Sequence, residues 1–319
     1  MLKDYIEVII DGIKIKTKKG FSILNTSRLI GGDIVPPAMC YYSSLPNSGG
    51  KCRTCLVEIV KWSNKNIDNS PKLVPSCNTE VLDGMIIKNT TSSKVLKARK
   101  WIVEMLLINH PLDCPICDQA GECELQNLSF KHGTEKTNYS FERRTFKEIY
   151  IGDKIKLHMN RCILCYRCVL VGDLLTNKRL HGVINRGNKA EISTYIKNNI
   201  DNDYSGNMID VCPVGALTDK TFRFKSRVWY TKPIKARRNC KKCCGKVMLW
   251  YDGDNIIRVT ARKNLYNEVI NFICNDCRFH CKENKMWIIE DVDNISNKSV
   301  ISTNLYKDDT SFIIDKNII

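Results

Sequence analysis

Several features that would place this 319-residue chain in a familiar functional class are missing from its sequence. No stretch approaches the roughly 18 consecutive apolar residues that a membrane-spanning helix requires, and the densest apolar run, residues 101–108, is interrupted by Glu104. No glycine-rich dinucleotide fingerprint and no phosphate-binding loop occurs, so the sequence predicts no nucleotide site. No Ser/His/Asp or activated-cysteine arrangement stands out either, so the sequence offers no candidate for nucleophilic catalysis.

Acidic residues are scarce, because 34 Asp and Glu face 50 Lys and Arg and the formal net charge is +16. A surplus of this size is typical of chains that neutralise phosphates, so a basic zinc-binding module for nucleic acid is one interpretation. The charge assumes neutral cysteines, however, and thiolates bound to iron–sulfur clusters would offset much of it. No stripe of basic and aromatic residues accompanies the surplus, which argues against nucleic acid.

The amino terminus lacks a targeting signal. Met1–Glu7 has neither the apolar segment of a secretory signal nor an Arg-rich presequence. We therefore expect that the protein is made where it works or is given in mature form. Frequent Ile, Lys and Asn indicate an AT-rich genome, such as that of an organelle or a reduced bacterium.

Cysteine is abundant, with 17 copies, most of them in C-x2-C units. A disulfide between such close neighbours closes only a tiny loop, whereas two thiolates at this spacing readily share one metal centre. An odd total also fits complete disulfide pairing poorly. The cysteines therefore predict metal ligation in a reducing compartment.

The first group of cysteines is Cys40, Cys52, Cys55 and Cys77. A hairpin around Asp11-Gly12 is predicted upstream, over residues 5–17, and a strand over residues 54–60. Four thiolates on a strand-flanked loop suit a [2Fe–2S] centre, and the glycines of Ser48–Lys51 let backbone N–H groups approach the sulfides of the cluster closely. A zinc site is the alternative.

The second group is His110, Cys114, Cys117 and Cys123. A helix is predicted before it, over residues 95–108, with a cap within Thr90–Ser93. A lone histidine at a helix end is more often a cap or a surface residue, but three cysteines without a fourth partner favour its ligation. Imidazole makes a cluster less negative and raises its potential. A zinc site with three cysteines and one histidine is the local alternative.

The third group is Cys162, Cys165, Cys168 and Cys212. A C-x2-C-x2-C run with a remote Cys-Pro is the arrangement by which bacterial ferredoxins hold a [4Fe–4S] cluster. Zinc sites normally use two separate pairs instead. Residues 169–211, between the run and Cys212, are interpreted as a packing insertion.

The last group is Cys240, Cys243, Cys244, Cys274, Cys277 and Cys281. Two separated C-x2-C pairs are typical of a zinc ribbon, and two short strands are predicted between them, over residues 246–259 around Asp252-Gly253-Asp254. Another [4Fe–4S] cluster and unligated thiols are the alternatives.

The order of these groups, with their flanking residues, closely resembles the large iron–sulfur subunit of respiratory complex I (NADH:quinone oxidoreductase). Four segments carry the resemblance, namely Lys51–Glu58 (KCRTCLVE), Asn109–Leu125 (NHPLDCPICDQAGECEL), Asn160–Cys165 (NRCILC) and Ser205–Thr218 (SGNMIDVCPVGALT). The resemblance covers roughly residues 1–285.

The resemblance implies one [2Fe–2S] cluster on the first ligand group, one [4Fe–4S] cluster on each of the next two, and no catalytic residue. It also implies an α+β fold in five parts. These are a β-grasp 2Fe-2S ferredoxin domain (1–89), a helical His/Cys 4Fe-4S domain (90–130), a ferredoxin-like 4Fe-4S domain (131–225), a small Cys-rich, β-rich unit resembling the start of a molybdopterin oxidoreductase domain (226–285) and a docking tail (286–319).

Some bacterial relatives carry an additional cluster in the fourth part, on a C-x2-C-x3-C run and a later cysteine, whereas mitochondrial relatives typically lack it. The expected third ligand falls here on Val247, and Cys244 is displaced by three positions. An extra site, either zinc or [4Fe–4S], is therefore expected on Cys240, Cys243, Cys274 and Cys277.

In the family, a flavin-bearing partner oxidises NADH, and other iron–sulfur subunits pass the electrons on to quinone. The resemblance implies a peripheral subunit of proton-translocating NADH:ubiquinone reductase without its own NADH or quinone site, and without nucleic acid. Its expected location is the matrix side of the mitochondrial inner membrane, with an organelle gene; the cytoplasmic face of a bacterial membrane is the alternative. Arg53, Arg161 and Arg167 are candidates for stabilising reduced clusters, and ordinary surface ion pairs are the alternative.

Iron-only hydrogenases and NAD-linked formate dehydrogenases share much of this architecture. They usually add a second ferredoxin-type run and a catalytic domain, neither of which this sequence contains. The complex I family itself usually continues into a large domain resembling molybdopterin oxidoreductases. We expect that domain to be lost, encoded separately or simply outside this sequence.

Overall fold

The computed structural model describes residues 5–63, 70–137, 139–140, 142–147, 149–176, 179, 181–194, 200 and 202–290. The chain divides into two compact units, each drawing on three segments. As far as they are described, the first unit takes in Met1–Pro111, Glu124–Arg144 and Ile163–Tyr166, and the second takes in Leu112–Cys123, Thr145–Cys162 and Arg167–Ile319.

The first unit contains a five-stranded sheet. Its strands are β1 Tyr5–Ile10, β2 Ile13–Lys18, β3 Leu56–Lys61, β4 Lys72–Pro75 and β5 Ile86–Lys88, in the order β2-β1-β5-β3-β4. β1 pairs antiparallel with β2 across Asp11-Gly12, where both residues take the positive φ that a tight hairpin turn requires. β1 pairs parallel with β5, and β3 pairs antiparallel with β4 and β5. The predicted hairpin is confirmed.

One helix and the sheet share an apolar core. The helix is α1, Ile23–Ile30, and the hydroxyl of Ser22 caps it by accepting from Asn25 N at 3.1 Å. The core residues are Val8, Ile10, Ile23, Val57, Ile59, Val81, Met85 and Ile87. β3 begins two residues later than predicted, because Thr54 and Cys55 form a turn instead.

Two further helices belong to the first unit. They are α2 Ser93–Leu107 and α3 Glu124–His132, and they pack against each other. The Ser92 hydroxyl caps α2 by accepting from Val95 N at 3.3 Å, so the predicted helix and its cap are confirmed. The buried face of α2 carries Arg99 between Val95 and Val103. A buried guanidinium must have hydrogen-bond acceptors, because burial without them is costly.

The second unit begins with short elements. They are β6 Ile155–Leu157, α4 Arg167–Thr176, β7 Gly182–Ile184, β8 Glu191–Ser193, α5 Asn207–Val211 and β9 Leu217–Asp219. β6 pairs antiparallel with β9, β7 pairs antiparallel with β8, and α4 packs on α5. The predicted insertion, residues 169–211, therefore contains most of α4, a hairpin and α5.

A four-stranded antiparallel sheet follows in the second unit. Its strands are β10 Lys232–Arg237, β11 Lys246–Asp252, β12 Asn255–Ala261 and β13 Ile288–Ile289, in the order β12-β11-β10-β13. The predicted strand pair over residues 246–259 is confirmed, and its turn includes Gly253 with φ of 59°. A π-helical turn, Asp276–His280, packs against β12.

Short 3-10 turns connect these elements at Gly32–Ile34, Cys114–Ile116, Met159–Arg161, Gly187–Lys189, Val228–Tyr230 and Asn284–Met286. Helices and strands are both well represented in the described chain, so the fold is α+β, as predicted. Of the predicted docking tail, residues 291–319 lie outside the described residues. Within the described residues, no helix combines the length and the apolar character needed to cross a membrane.

Candidate metal centres

The first ligand group comes together in the first unit. Its members, Cys40, Cys52, Cys55 and Cys77, are all buried. The thiols form two hydrogen-bonded pairs, Cys40 with Cys52 and Cys55 with Cys77. A [2Fe–2S] centre needs two thiolates for each of its two irons, so two pairs of buried thiols fit it.

Three consecutive backbone amides, of residues 50–52, donate to the sulfurs of this centre. One lies 3.2 Å from Cys77 Sγ and two lie 3.3 Å from Cys40 Sγ. Hydrogen bonding from the Cys52 thiol, followed by these two amides, lowers the pKa of Cys40 to about 6. A Cβ on Gly49 would stand 3.1 Å from Cys77 Sγ, and the φ of Gly49 is 96°, so the loop requires glycine there. The loop therefore brings N–H groups to the cysteine sulfurs, and its contacts with cluster sulfides stay a prediction.

Arg99 is a residue of this centre that sequence reasoning missed. Its guanidinium, 1% exposed, donates from Nε to Thr54 O and from Nη2 to Leu56 O, both at 3.1 Å. These carbonyls flank Cys55, so α2 fixes the ligand loop and brings a positive charge to it. Burial lowers the pKa of Arg99 to about 10, which leaves it charged at neutral pH. The available signal was a charged residue between Val95 and Val103, at helical spacing from both.

The second ligand group is divided between the units. His110 follows α2 in the first unit, whereas Cys114, Cys117 and Cys123 lie in the second. Cys114 begins a 3-10 turn that ends where Cys117 N donates to Cys114 O at 3.3 Å. Arg161, 3% exposed, pairs with Asp113 at 2.9 Å. Burial raises the pKa of Cys117, and the charge of Arg161 opposes that rise.

Two members of the second group lie against the chain that follows Cys212. The thiol of Cys123 donates to Pro213 O at 3.8 Å. A Cβ added to Gly215 would stand only 2.1 Å from Cys117 Sγ. Glycine is therefore required at position 215 by the space that the sulfur occupies. The contacts also bring cysteines of the second group next to the segment that carries a cysteine of the third.

The third ligand group is also divided, with Cys165 in the first unit and Cys162, Cys168 and Cys212 in the second. Leu164 and Tyr166, on either side of Cys165, take positive φ values of 53° and 67°. Arg53, between two cysteines of the first group, has φ of 63°. Left-handed backbone at residues other than glycine costs free energy and concentrates at functional sites. The two positive φ values give the chain a sharp turn on each side of the Cys165 thiol.

Cys212 is buried at the end of α5. Burial raises its pKa, whereas backbone amides of residues 214, 216 and 217 and the charge of Arg167 lower it. Arg167, 3% exposed, directs Nη1 to Val211 O at 3.5 Å. Arg161 and Arg167 are therefore buried beside cysteines rather than exposed on the surface, and Arg161 also forms an ion pair with Asp113. The side chain of Arg53 is exposed.

The last group yields a compact set of four thiols in the second unit. Cys240 and Cys243 lie between β10 and β11, and Cys274 and Cys277 follow β12. All four sulfurs lie within 4.8 Å of one another. The remaining two cysteines, Cys244 and Cys281, are not in this set, and Cys244 is exposed.

Comparison with protein families gives three matches along the chain. A 2Fe-2S iron-sulfur cluster binding domain matches residues 3–92, and the NADH-ubiquinone oxidoreductase-G iron-sulfur binding region matches residues 99–138. The ferredoxin-like domain of NADH-quinone oxidoreductase subunit 3 matches residues 152–218. Each matched range contains one predicted ligand group in full.

Similar proteins come from mitochondria and bacteria. The mitochondrial NADH dehydrogenase [ubiquinone] iron-sulfur protein 1 of Solanum tuberosum is 40% identical over 82% of this chain and 34% of its own length. A NADH-quinone oxidoreductase subunit of Rickettsia typhi is 43% identical over 71% of this chain and 32% of its own length. The NADH-ubiquinone oxidoreductase 75 kDa subunit of Reclinomonas americana is 39% identical over 81% of this chain and 36% of its own length. The chain thus spans about a third of the length of these relatives.

A solved structure shares the fold. A chain of an NAD+-reducing [NiFe]-hydrogenase in its H2-reduced state superposes with a TM-score of 0.60 at 23% identity, over 70% of this chain and 91% of that one. The family matches and the relatives agree with the resemblance seen in the sequence. The chain belongs to the family of the large iron–sulfur subunit of NADH–quinone oxidoreductases, of which it spans the iron–sulfur part.

Proposed function

We propose that this chain conducts electrons in the peripheral arm of a respiratory, proton-translocating NADH:ubiquinone reductase, from a flavin-bearing subunit that oxidises NADH toward quinone. The observation that carries the proposal is the presence of one complete ligand group within each of three matched cluster-binding ranges. The chain itself is proposed to have no catalytic residue and no NADH or quinone site.

Twelve side chains are proposed to hold three clusters. The [2Fe–2S] ligands are Cys40, Cys52, Cys55 and Cys77; the first [4Fe–4S] ligands are His110, Cys114, Cys117 and Cys123; and the second [4Fe–4S] ligands are Cys162, Cys165, Cys168 and Cys212. The paired thiols of the first group and the strained run around Cys165 support this assignment. When bound, each cluster supplies one-electron oxidation and reduction.

The proposed work of the protein is to hold and tune these centres. The amides of residues 50–52 donate to the sulfurs of the first group, and amides after Cys212 do the same for the third. Arg99, Arg161 and Arg167 bring buried positive charge beside cysteines. Donated hydrogen bonds and positive charge favour the reduced, more negative form, so both raise the potential.

The proposed domain limits follow the family. They are a β-grasp ferredoxin domain (1–89), a helical 4Fe-4S domain (90–130), a ferredoxin-like domain (131–225), a small Cys-rich unit (226–285) and a docking tail (286–319). The parallel pairing of β1 with β5 in the middle of a mixed sheet supports the β-grasp assignment. Mitochondrial and bacterial relatives support a mitochondrial or a bacterial setting. The proposed place, beside other iron–sulfur subunits, is the matrix face of the mitochondrial inner membrane, with an organelle gene, or the cytoplasmic face of a bacterial membrane.

Low-temperature EPR of the purified, dithionite-reduced holoprotein tests the proposal. We expect a [2Fe–2S] signal and at least one [4Fe–4S] signal, with about ten irons per chain when all three clusters are bound. A holoprotein that contains zinc alone, with neither signal, would contradict electron conduction and favour the nucleic-acid module.

Replacing His110→Cys tests its ligation. We expect the cluster to stay bound but its midpoint potential to fall, because a thiolate is more negative than a neutral imidazole. An EPR-monitored redox titration measures the shift. His132→Cys, on α3, is the control that adds a cysteine without changing a proposed ligand. Equal titrations for the H110C variant and the unchanged protein would remove His110 from the ligand set.

A further inference from the structure

The four thiols Cys240, Cys243, Cys274 and Cys277 are spaced for one metal ion. Cys240 Sγ lies 3.7 Å from Cys274 Sγ, and Cys243 Sγ lies 3.7 Å from Cys277 Sγ. A tetrahedral zinc ion binds sulfur at about 2.3 Å, which puts any two of its thiolates about 3.8 Å apart. The observed separations are those of the edges of such a tetrahedron.

A [4Fe–4S] cluster requires a wider arrangement, because each thiolate then binds a different iron at a different corner of the cluster. All four sulfurs of this site lie within 4.8 Å of one another. That spread fits thiolates that share a single ion and is too small for thiolates at four corners of a cluster.

The backbone around the first pair also suits a structural ion. Amides of residues 242 and 243 donate to Cys240, and Gly245 N lies 3.4 Å from Cys243 Sγ. Gly245 has φ of 65°, and a Cβ there would stand 2.0 Å from Arg238 O. The tight turn that brings its amide to the sulfur therefore needs glycine at this position.

The cluster alternative also fails at its third ligand. The family pattern expects that ligand at position 247, where the side chain is an apolar valine, fully buried in β11. Cys244 is exposed on the surface. Arg238 donates to the thiol of Cys281. The guanidinium of Arg238 thus places a positive charge next to a site that four thiolates would make negative.

The second pair lies on a segment tied to α5. Asn207 exchanges hydrogen bonds with the backbone of Ile273, donating at 2.8 Å and accepting at 3.0 Å. Asn275 Oδ1 accepts from Gly206 N at 2.9 Å. Lys242, between the cysteines of the first pair, reaches Asp276 at 2.9 Å. An ion held by both pairs would therefore fix two loops of the sheet to the helix that precedes Cys212.

We propose that Cys240, Cys243, Cys274 and Cys277 bind one zinc ion with a structural role. Four thiolates complete a tetrahedral shell and leave no open position for substrate or water. Zinc has no accessible redox change, so this site takes no part in electron transfer. The inference goes beyond the proposed function, since the three clusters can be present with or without it.

Metal analysis of the holoprotein and two variants tests the proposal. We expect about one zinc per chain, lost in Cys274→Ser and retained in Cys244→Ser, with the same iron content in all three proteins. Cys244→Ser is the matched control because it removes a neighbouring thiol outside the set. Two results would overturn the zinc assignment: loss of four irons in Cys274→Ser, or an unchanged holoprotein that contains no zinc.

X-ray absorption at the zinc edge of the unchanged holoprotein provides a test that needs no variant to fold. We expect four sulfur neighbours at about 2.3 Å and no light-atom ligand. A shell with nitrogen or oxygen would show that the zinc is bound elsewhere. A single iron at the site, recognised by its high-spin ferric EPR signal, would also overturn the proposal. None of these outcomes changes the expected [2Fe–2S] and [4Fe–4S] signals, so the two proposals are separable.

Discussion

Replacing Gly215→Ala is expected to remove about four irons per chain, because it displaces Cys117, a proposed ligand of one [4Fe–4S] cluster. The added Cβ would stand 2.1 Å from Cys117 Sγ, which is too close for a carbon and a sulfur that are not bonded to each other. Residue 215 lies in the short segment between Cys212, at the end of α5, and β9, so its backbone has little room to retreat and the sulfur must move. Iron analysis and the [4Fe–4S] EPR signal measure the loss.

The control for this prediction is Gly182→Ala in the same unit. A Cβ there meets its nearest atom, Arg179 Cδ, at 3.8 Å, which is ordinary contact. We expect full iron content in G182A. The [2Fe–2S] signal of the first unit should persist in G215A, which distinguishes loss of one cluster from unfolding of the chain. Unchanged iron and signals in G215A would mean that Cys117 does not lie against Gly215 in the holoprotein.

Replacing Arg278→Met is expected to lower the free energy of unfolding of the second unit by about 3–5 kcal/mol. The Arg278 guanidinium pairs with the Asp210 carboxylate, and each side chain is 1% exposed. Its Nη1 also lies 3.2 Å from Asp210 Oδ1 and 3.4 Å from Val259 O. Without the guanidinium, a buried carboxylate remains with its negative charge uncompensated. Denaturant unfolding of the holoprotein, compared with the unchanged chain, measures the difference.

The double variant Asp210→Asn with Arg278→Met identifies the cause. Replacing both members of a buried ion pair by neutral groups is often nearly neutral in stability, whereas removing one member is not. We therefore expect the double variant to regain most of the stability that R278M loses. If the double variant is as unstable as R278M, then the lost packing and hydrogen bonds of the long side chain, rather than the unpaired charge, account for the effect.

Local signals in the sequence were sufficient for several elements. The turn at Asp11-Gly12 and the cap at Ser92 depend on contacts between residues close in the chain, and both were predicted correctly. The strand pair over residues 246–259 followed from short-range alternation. The start of β3 was predicted too early, because the side chains of Thr54 and Cys55 suit a strand but the ligand loop turns there.

Residues that act through remote contacts were not predictable in this way. Arg99 donates to carbonyls more than forty positions earlier in the chain, at Thr54 and Leu56, and nothing in its own neighbourhood indicates that partner. Gly215 stands among small and apolar residues that would accept an alanine, yet the sulfur at position 117 requires glycine there. Such contacts arise only when distant segments pack together.

The sequence alone determined that the two cysteines of each C-x2-C unit can share one metal centre, because their spacing along the chain keeps the two thiolates close. The tertiary structure alone decided how far apart the sulfurs of Cys240, Cys243, Cys274 and Cys277 lie, and hence the choice of a single ion over a cluster. Spacing within each C-x2-C pair is local, whereas the distance between the pairs depends on the register of β10, β11 and β12 and on the ties from Ile273 and Asn275 to α5.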